Sequence, residues 1–200
     1  LAPRRPAAAV VPSFFFPPLR RGSTATLVPP ILRDDVLALR PSYGDRVLVY
    51  VNEGAGMEGL LAALAGVPAD VYGLGEGLAP LGVRRKAPSR AGFLADLAAA
   101  RAVVATAGFT LLSEALHLGK PVLALPNRGF FEQAVNAHAL VALGRGEAVE
   151  RAVRRADLAN FLDRADAYAR PPGTDGTAGR ERAADAIERV IGAPRLRRAA

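Results

Sequence analysis

The segment Thr106–Thr110 has the residue types of a turn that binds phosphate groups. Its glycine, Gly108, has no Cβ and lets the backbone come close to a phosphate. A helix is predicted directly after it, and a helix N-terminus offers unpaired N–H groups and a partial positive charge. We therefore predict a diphosphate site in which Gly108, Phe109 and Thr110 supply backbone N–H groups and Thr110 also its hydroxyl. The same residues also fit a plain helix start, in which glycine forms the turn and threonine caps the helix.

A second glycine-rich turn is predicted between Asn52 and Gly59. Gly54 and Gly56 begin the pattern G-x-G-x-x-G between a predicted strand and a predicted helix. Dinucleotide-binding domains use this pattern and hold a ribose with an acidic residue about 20 residues further on, where Glu76 stands. A NAD-binding domain of an oxidoreductase is therefore an alternative. Against it, Glu76 lies in a glycine-rich loop beyond the strand, and the chain offers no base for a dehydrogenase.

The elements around the Thr106–Thr110 turn form a predicted βαβ unit. Residues 103–105 are a short apolar strand, and the helix after the turn begins with Thr110 as its N-cap. Gly119 and Pro121 end this helix. A second strand follows at residues 122–125, and a further helix runs from Phe131 to Leu143. A strand, a helix and a strand in so few residues indicate parallel strands.

The rest of the chain extends this pattern into an α/β fold. Arg46–Val51 is the clearest strand, because it is apolar almost throughout, as expected when both faces of a sheet are covered. Further strands are predicted at residues 70–74 and 81–85, and an edge strand at residues 147–150. We expect a Rossmann-like sheet of about five parallel strands with helices on both faces. Arg151–Tyr168 is predicted as one helix, and Phe14–Phe16 as a short buried strand or an apolar wedge against a neighbouring lobe.

Composition limits the classes of function. The chain has 200 residues, half of them hydrophobic, and no cysteine, which excludes disulfides and thiolate metal sites. His117 and His138 lack spaced partners, so we predict no metal site. The net charge of +7 indicates an anionic partner, but arginine is abundant together with alanine, glycine and proline, as in GC-rich coding sequences. We expect no nucleic-acid partner. No apolar run is long enough for a membrane span and no signal peptide is evident, so we expect a cytoplasmic protein.

Five groups of residues recur here in one order at close spacing. They are Ala107–Thr110, Ser113-Glu114, Gly119–Pro121, Glu132-Gln133 and Asn136-Ala137. This order resembles the donor-binding, C-terminal lobe of a GT-B glycosyltransferase. It is most similar to the family 28 enzymes that add N-acetylglucosamine to lipid I, and to their uncharacterised relatives. The resemblance covers roughly residues 28–149.

The resemblance implies roles for several residues. The turn with Gly54 and Gly56 would face the other lobe across the cleft and contact the donor phosphates. Glu114 would hold the two ribose hydroxyls of a nucleotide-sugar, and Glu132 with Gln133 would bind the hydroxyls of the donor sugar. Asn136 would hydrogen-bond a loop. The family has glutamine where Glu132 stands, which leaves the sugar open. The nucleobase would lie near residues 86–93 and would be uracil, so that the donor is a UDP-sugar and no separate cofactor is needed.

The predicted function is therefore that of a hexosyltransferase lobe. Residues 1–44 would be an interlobe linker with a remnant of the N-terminal lobe, residues 45–150 the nucleotide-sugar lobe, and residues 151–200 terminal helices and a basic tail. Because the chain begins with Leu1, we expect a piece of a longer enzyme, with the acceptor site and catalytic base in a missing N-terminal lobe. The acceptor would be a lipid-linked sugar or another glycan, the former at the inner face of the membrane. A non-enzymatic basic binding module is a further alternative, although the arginines are scattered.

Overall fold

The fold is seen in a computed structural model, which describes residues 8–51, 57–74, 77–173 and 178–192. The described chain forms two compact units. One consists of residues 8–33 and 178–192, and the other of residues 34–173.

The secondary structure alternates between strands and helices along most of the chain. The described strands are β1 (Ala9–Pro12), β2 (Ala25–Val28), β3 (Val47–Tyr50), β4 (Ala69–Tyr72), β5 (Val83–Arg85), β6 (Ala102–Ala105), β7 (Val122–Ala124) and β8 (Gly146–Ala148). The described helices are α1 (Asp34–Leu37), α2 (Met57–Leu64), α3 (Arg90–Ala99), α4 (Phe109–His117), α5 (Phe131–Ala142), α6 (Arg155–Asp163), α7 (Ala165–Tyr168) and α8 (Gly179–Gly192). None of the helices in the described part of the chain has the length and apolarity that crossing a bilayer requires.

The larger unit contains one parallel sheet with the strand order β5-β4-β3-β6-β7-β8. The predicted α/β fold with a parallel sheet is confirmed, with six strands. The predicted edge strand begins earlier than expected, at Gly146, which pairs with Val122. A Cβ at Gly146 would overlap the Val122 carbonyl, so the absence of a side chain permits this close pairing.

Helices cover both faces of this sheet. On one face, Val47, Val49 and Val104 pack with Leu64 of α2 and Phe161 of α6, and all five are at most 1% exposed. The right-handed connections typical of parallel strands place α3, α4 and α5 on the opposite face. The core strands are apolar on both sides for this reason, as the sequence predicts for β3 and β6.

The predicted helix Arg151–Tyr168 is wrong in its extent, because it starts later and is interrupted. The Asp157 carboxylate accepts the backbone N–H of Arg154 at 2.9 Å and therefore fixes the start of α6. The Arg151 guanidinium lies 2.6 Å from the same carboxylate, and the two contacts hold the pKa of Asp157 well below its usual range. At Arg164 the backbone leaves helical geometry, with φ −105° and ψ 1°, which separates α6 from α7.

The smaller unit pairs β1 with β2 in parallel and packs them with α8. Its core consists of Val28 with Ala183 and Ala186 of α8. The predicted strand at Phe14–Phe16 is wrong, because this segment forms a bend in which the Ser13 hydroxyl bonds with the backbone of Phe15. Phe14 is buried in this bend, whereas Phe16 is 57% exposed.

Candidate functional site

The strand order of the large sheet reverses between β3 and β6. These two strands are direct neighbours, with Tyr50 opposite Ala105. After β3 the chain continues toward the β5 edge of the sheet, and after β6 it continues toward the β8 edge. Ligands of open parallel sheets bind at this position, beyond the carboxyl ends of the strands. The Thr106–Thr110 turn follows β6 at this edge, and the N–H of Thr106 donates to the carbonyl of Tyr50 at 3.4 Å. The other predicted turn, with Gly54 and Gly56, lies outside the described residues.

Neither the backbone conformation nor the described neighbours of Gly108 explain why this residue is glycine. Its φ of −69° and ψ of 133° are available to any residue. Among the described residues, a Cβ at this position would come within 4 Å of the Thr106 carbonyl oxygen only, at 4.0 Å. Gly119, by contrast, has a φ of +74°, and a Cβ there would overlap the carbonyl of Arg170. In the described part of the chain, the missing Cβ at Gly108 therefore leaves space beside the turn, at the edge of the sheet where ligands bind.

The helix that follows the turn begins two residues earlier than the sequence predicts. Gly108 is the N-cap of α4 and has no side chain to cap the helix, so the prediction of Thr110 as N-cap is wrong. Thr110 is the second residue of α4 and is exposed, and Phe109 before it is half-buried. The first turn of α4 contains no acidic residue. Its partial positive charge is therefore not reduced by a neighbouring carboxylate on the helix.

The N–H of Gly108 has an acceptor within the turn. It donates to the carbonyl oxygen of Thr106 at 2.7 Å. The contribution of Gly108 to a ligand is thus steric in this structure, because the residue leaves space. The first N–H groups of an α-helix lie beyond its own hydrogen-bond ladder, and those of α4 follow directly after Gly108.

Glu114 lies further along α4 and is only 2% exposed. Residues 112–117 of this helix are all buried, so the buried part includes Ser113 and His117 as well as the apolar residues that the sequence pattern identifies. The carboxylate predicted to hold a ribose is therefore covered by protein in this structure.

The start of α5 contains the other predicted pair. Glu132 is exposed, and Gln133 is half-buried, with its Oε1 accepting the backbone N–H of Asn127 at 2.8 Å. Asn136, one turn further, is 4% exposed and donates through Nδ2 to the carbonyl oxygen of Ala107 at 3.0 Å. Asn136 therefore connects α5 to the glycine turn, and the sequence, which predicts a bond from Asn136 to a loop, did not identify this turn as the partner. The available signal was an amide side chain at helical spacing from Gln133, between apolar residues.

An aromatic cluster occupies the ends of β3 and β4, next to the segment predicted to bind the nucleobase. The ring of Phe93 makes edge contacts with Tyr50 and Tyr72, with centroid distances of 5.5 and 5.1 Å. Tyr72 donates to Asp96 at 2.6 Å, and burial together with this carboxylate raises the pKa of Tyr72. Tyr50 is 38% exposed at the strand end. Its ring could contact the flat face of a ligand's ring system.

A cavity of about 170 Å³ lies elsewhere, at the start of β3 and β4. Its lining includes Arg46 and Asp70, which form an ion pair at 2.7 Å. Arg46 also donates to the carbonyls of Ala69 and Gly82, so the guanidinium connects three strands of the sheet. This cavity lies at the opposite ends of the strands from the glycine turn. We therefore place the candidate site at the carboxyl ends of β3 and β6, where the topology directs ligands.

The structure is similar to solved glycosyltransferases. The spinosyn forosaminyltransferase SpnP matches with a TM-score of 0.58 and 19% identity, over 88% of this chain and 48% of that chain. The calicheamicin glycosyltransferase CalG4 matches with a TM-score of 0.60 and 22% identity, over 86% of this chain and 50% of that one. SnogD from Streptomyces nogalater matches with a TM-score of 0.55 and 21% identity, over 94% of this chain and 57% of that one.

These likenesses concern the fold. The chain spans about half the length of the three proteins. The predicted architecture, one lobe of a GT-B glycosyltransferase, is confirmed.

The sequence itself matches a protein family. Residues 2–166 match the model of the family described as glycosyl transferase family 1. No curated protein matches the sequence significantly. The family match does not support the alternatives of a NAD-binding oxidoreductase or a non-enzymatic basic module, and it does not confirm the narrower resemblance to the lipid I enzymes. Since the matched residues are well over half of the 200 in the sequence, the chain belongs to glycosyl transferase family 1.

Proposed function

We propose that this chain binds the nucleotide-sugar donor of a hexosyltransferase, with the diphosphate at the N-terminus of α4. The observation that supports this most directly is the space left by Gly108. Neither its backbone angles nor its packing against the described residues requires glycine, and it lies at the end of β6 beside the point where the strand order reverses. A ligand that approaches the backbone closely gives a physical reason for glycine there.

The proposed mechanism relies on the charge of the leaving group. When the sugar bond breaks, the nucleoside diphosphate departs with increased negative charge. The N–H groups and partial positive charge at the start of α4 are fixed before reaction and stabilise that charge. Glu132, exposed at the start of α5, is then available to accept hydrogen bonds from hydroxyls of the donor sugar.

The first test is calorimetric titration of the chain with UDP, GDP and NAD. We expect a nucleoside diphosphate to bind and Gly108→Ala to weaken it at least tenfold, because the added methyl group occupies the ligand's space. Folding stability should fall by only about 1 kcal/mol, the usual size of an N-cap loss, because glycine is preferred over alanine at an N-cap. Gly192→Ala is the matched control, since a Cβ there, at the end of α8, would also meet none of the described residues. Binding of NAD that Gly108→Ala leaves unchanged would refute the proposal.

The proposed ribose contact of Glu114 needs a separate test, because the carboxylate is 2% exposed. It requires that ligand binding uncover this group. Glu114→Gln keeps the size of the side chain and removes its charge. We expect it to weaken UDP but not inorganic pyrophosphate, which has no ribose. Equal weakening of both ligands would assign Glu114 a structural role in α4.

The proposed enzyme needs more than this chain. This lobe would bind the donor, most simply a UDP-sugar. The remaining half of a longer protein would provide the acceptor site and the catalytic base. A lipid-linked sugar at the inner membrane face and another glycan are both proposed acceptors. We expect the isolated chain to bind donor without turnover. Appreciable transfer of sugar to an acceptor by this chain alone would overturn the division of roles.

A further inference from the structure

One buried amide connects the two parts of the proposed donor site. Asn136 of α5 donates through Nδ2 to the carbonyl oxygen of Ala107, 29 residues away, at 3.0 Å. Asn136 is 4% exposed and Ala107 is fully buried. A hydrogen bond between buried groups is costly to break, because the orphaned carbonyl cannot turn to water instead.

This bond fixes one side of the peptide group between Ala107 and Gly108. The other side is fixed as well, since the N–H of Gly108 donates to the carbonyl of Thr106 at 2.7 Å. A peptide group is planar, so holding its C=O and its N–H sets its orientation completely. That orientation determines how the backbone enters α4, and with it the direction of the N–H groups at the start of the helix.

The same helix holds the opposite side of the site. Gln133, one turn before Asn136, accepts the N–H of Asn127 at 2.8 Å and so ties the loop after β7 to α5. Glu132, proposed to face the sugar, is the neighbouring residue. One rigid helix thus fixes both the turn on the diphosphate side and the loop on the sugar side.

We infer that Asn136 is a positioning residue for the donor site, which sets the Ala107–Gly108 peptide and thereby the affinity for the diphosphate. This inference rests on the proposed function. Asn136 touches the turn and not the ligand, so its effect on binding passes through the geometry of the backbone. An aspartate at this position has the same shape but, when ionised, places a carboxylate against the Ala107 carbonyl and has no hydrogen to donate. When it is protonated, its O–H can donate to that carbonyl.

The test compares Asn136→Ala and Asn136→Asp by calorimetric titration with UDP at pH 5.5 and pH 8. We expect Asn136→Ala to weaken UDP about fivefold to tenfold at both pH values, the size of one buried hydrogen bond. Asn136→Asp should be as weak at pH 8 and return to within about twofold of the wild type at pH 5.5, because burial raises the pKa of the introduced carboxyl and its proton restores the donor. Asn160→Asp, at an exposed position of α6, is the matched control and should follow the wild type.

The pH comparison separates positioning from general loss of structure. Changes of UDP and of the unaltered part of the protein with pH affect all variants alike, so only the ratio to the wild type is read. Recovery of UDP affinity by Asn136→Asp at pH 5.5 is measured within one variant. The test therefore does not depend on Asn136→Ala, which can fold poorly. Wild-type binding that both variants retain, or an Asn136→Asp defect that does not change with pH, overturns this inference alone. A wild-type chain that binds no nucleoside diphosphate overturns the proposed function and this inference with it.

Discussion

Lys120 provides the sharpest physical prediction, because it is a fully buried lysine with no exposed surface. Its ammonium donates to three backbone carbonyls, of Ser42, Ala98 and Ala100, the last two at 2.8 Å. It also lies 4.4 Å from the centre of the Tyr43 ring. Burial lowers its pKa from 10.5 to about 8. The folded protein therefore releases this proton at a lower pH than the unfolded chain does.

The direction of the pH effect follows from proton binding. Between pH 8 and 10.5 the unfolded chain keeps the Lys120 proton while the folded chain has lost it. Stability rises with pH wherever the unfolded state binds more protons. A shift of 2.5 units from 10.5 to about 8 corresponds to about 3.4 kcal/mol in total, of which about 2.5 kcal/mol appears between pH 7 and pH 10.

Lys120→Met removes this titration and keeps a similar apolar length. At high pH we expect the variant to be less stable than the wild type by about 2–6 kcal/mol, since two carbonyls lose a donor at about 1–3 kcal/mol each. The Ala98 carbonyl retains a second donor, the N–H of Ser42 at 2.9 Å. At pH 7 the wild type buries a charged Lys120 and the variant does not, which offsets much of the stability that the variant loses at the carbonyls. The gap between the two proteins should therefore widen as the pH rises.

Urea unfolding at pH 7, 8.5 and 10 measures this gap directly. Lys86→Met is the control, since Lys86 is the other lysine of the sequence and forms a partly exposed ion pair with Asp96 at 3.0 Å. Its difference from the wild type should change little over the same range. A Lys120→Met gap that stays constant or narrows with pH would show that the three carbonyls, and not burial, dominate the protonation of Lys120. Acylation of the native protein should modify Lys86 well before Lys120.

Two further substitutions test local features of the sheet unit. Gly119→Ala should lower the free energy of unfolding by more than about 2 kcal/mol, because Gly119 has a left-handed backbone, with φ +74°, and an added Cβ would also overlap the Arg170 carbonyl. Gly129→Ala is the control: its φ is +83°, a Cβ there meets none of the described residues, and the loss should be about 1 kcal/mol. Equal losses in thermal unfolding would contradict the overlap at Gly119. Ser89→Ala removes the N-cap of α3, whose Oγ accepts a backbone N–H at 3.0 Å, and should lower the unfolding free energy by about 1 kcal/mol, while no change would mean that water replaces the cap.

Much of the fold follows from local sequence. The apolar runs of β3 and β6 predict buried parallel strands because side chains on both faces must be covered. Gly119 and Pro121 predict the end of α4, and the positive φ of Gly119 confirms why glycine is needed. These features depend on neighbouring residues only, so pattern and backbone preference are sufficient. The glycine turn after β6 is identified in the same way, since turn chemistry is local.

The tertiary structure decided what the candidate site contains. Sequence spacing placed Glu114 one turn into a helix but could not show that α4 buries it to 2% exposure. Asn136 and Ala107 are 29 residues apart, and the acceptors of Lys120 lie between 20 and 78 residues away. Whether such groups meet depends on how helices pack on a finished sheet, which no local pattern specifies. The sequence therefore predicts the type of site, whereas packing determines which side chains are covered, open or hydrogen-bonded to the turn.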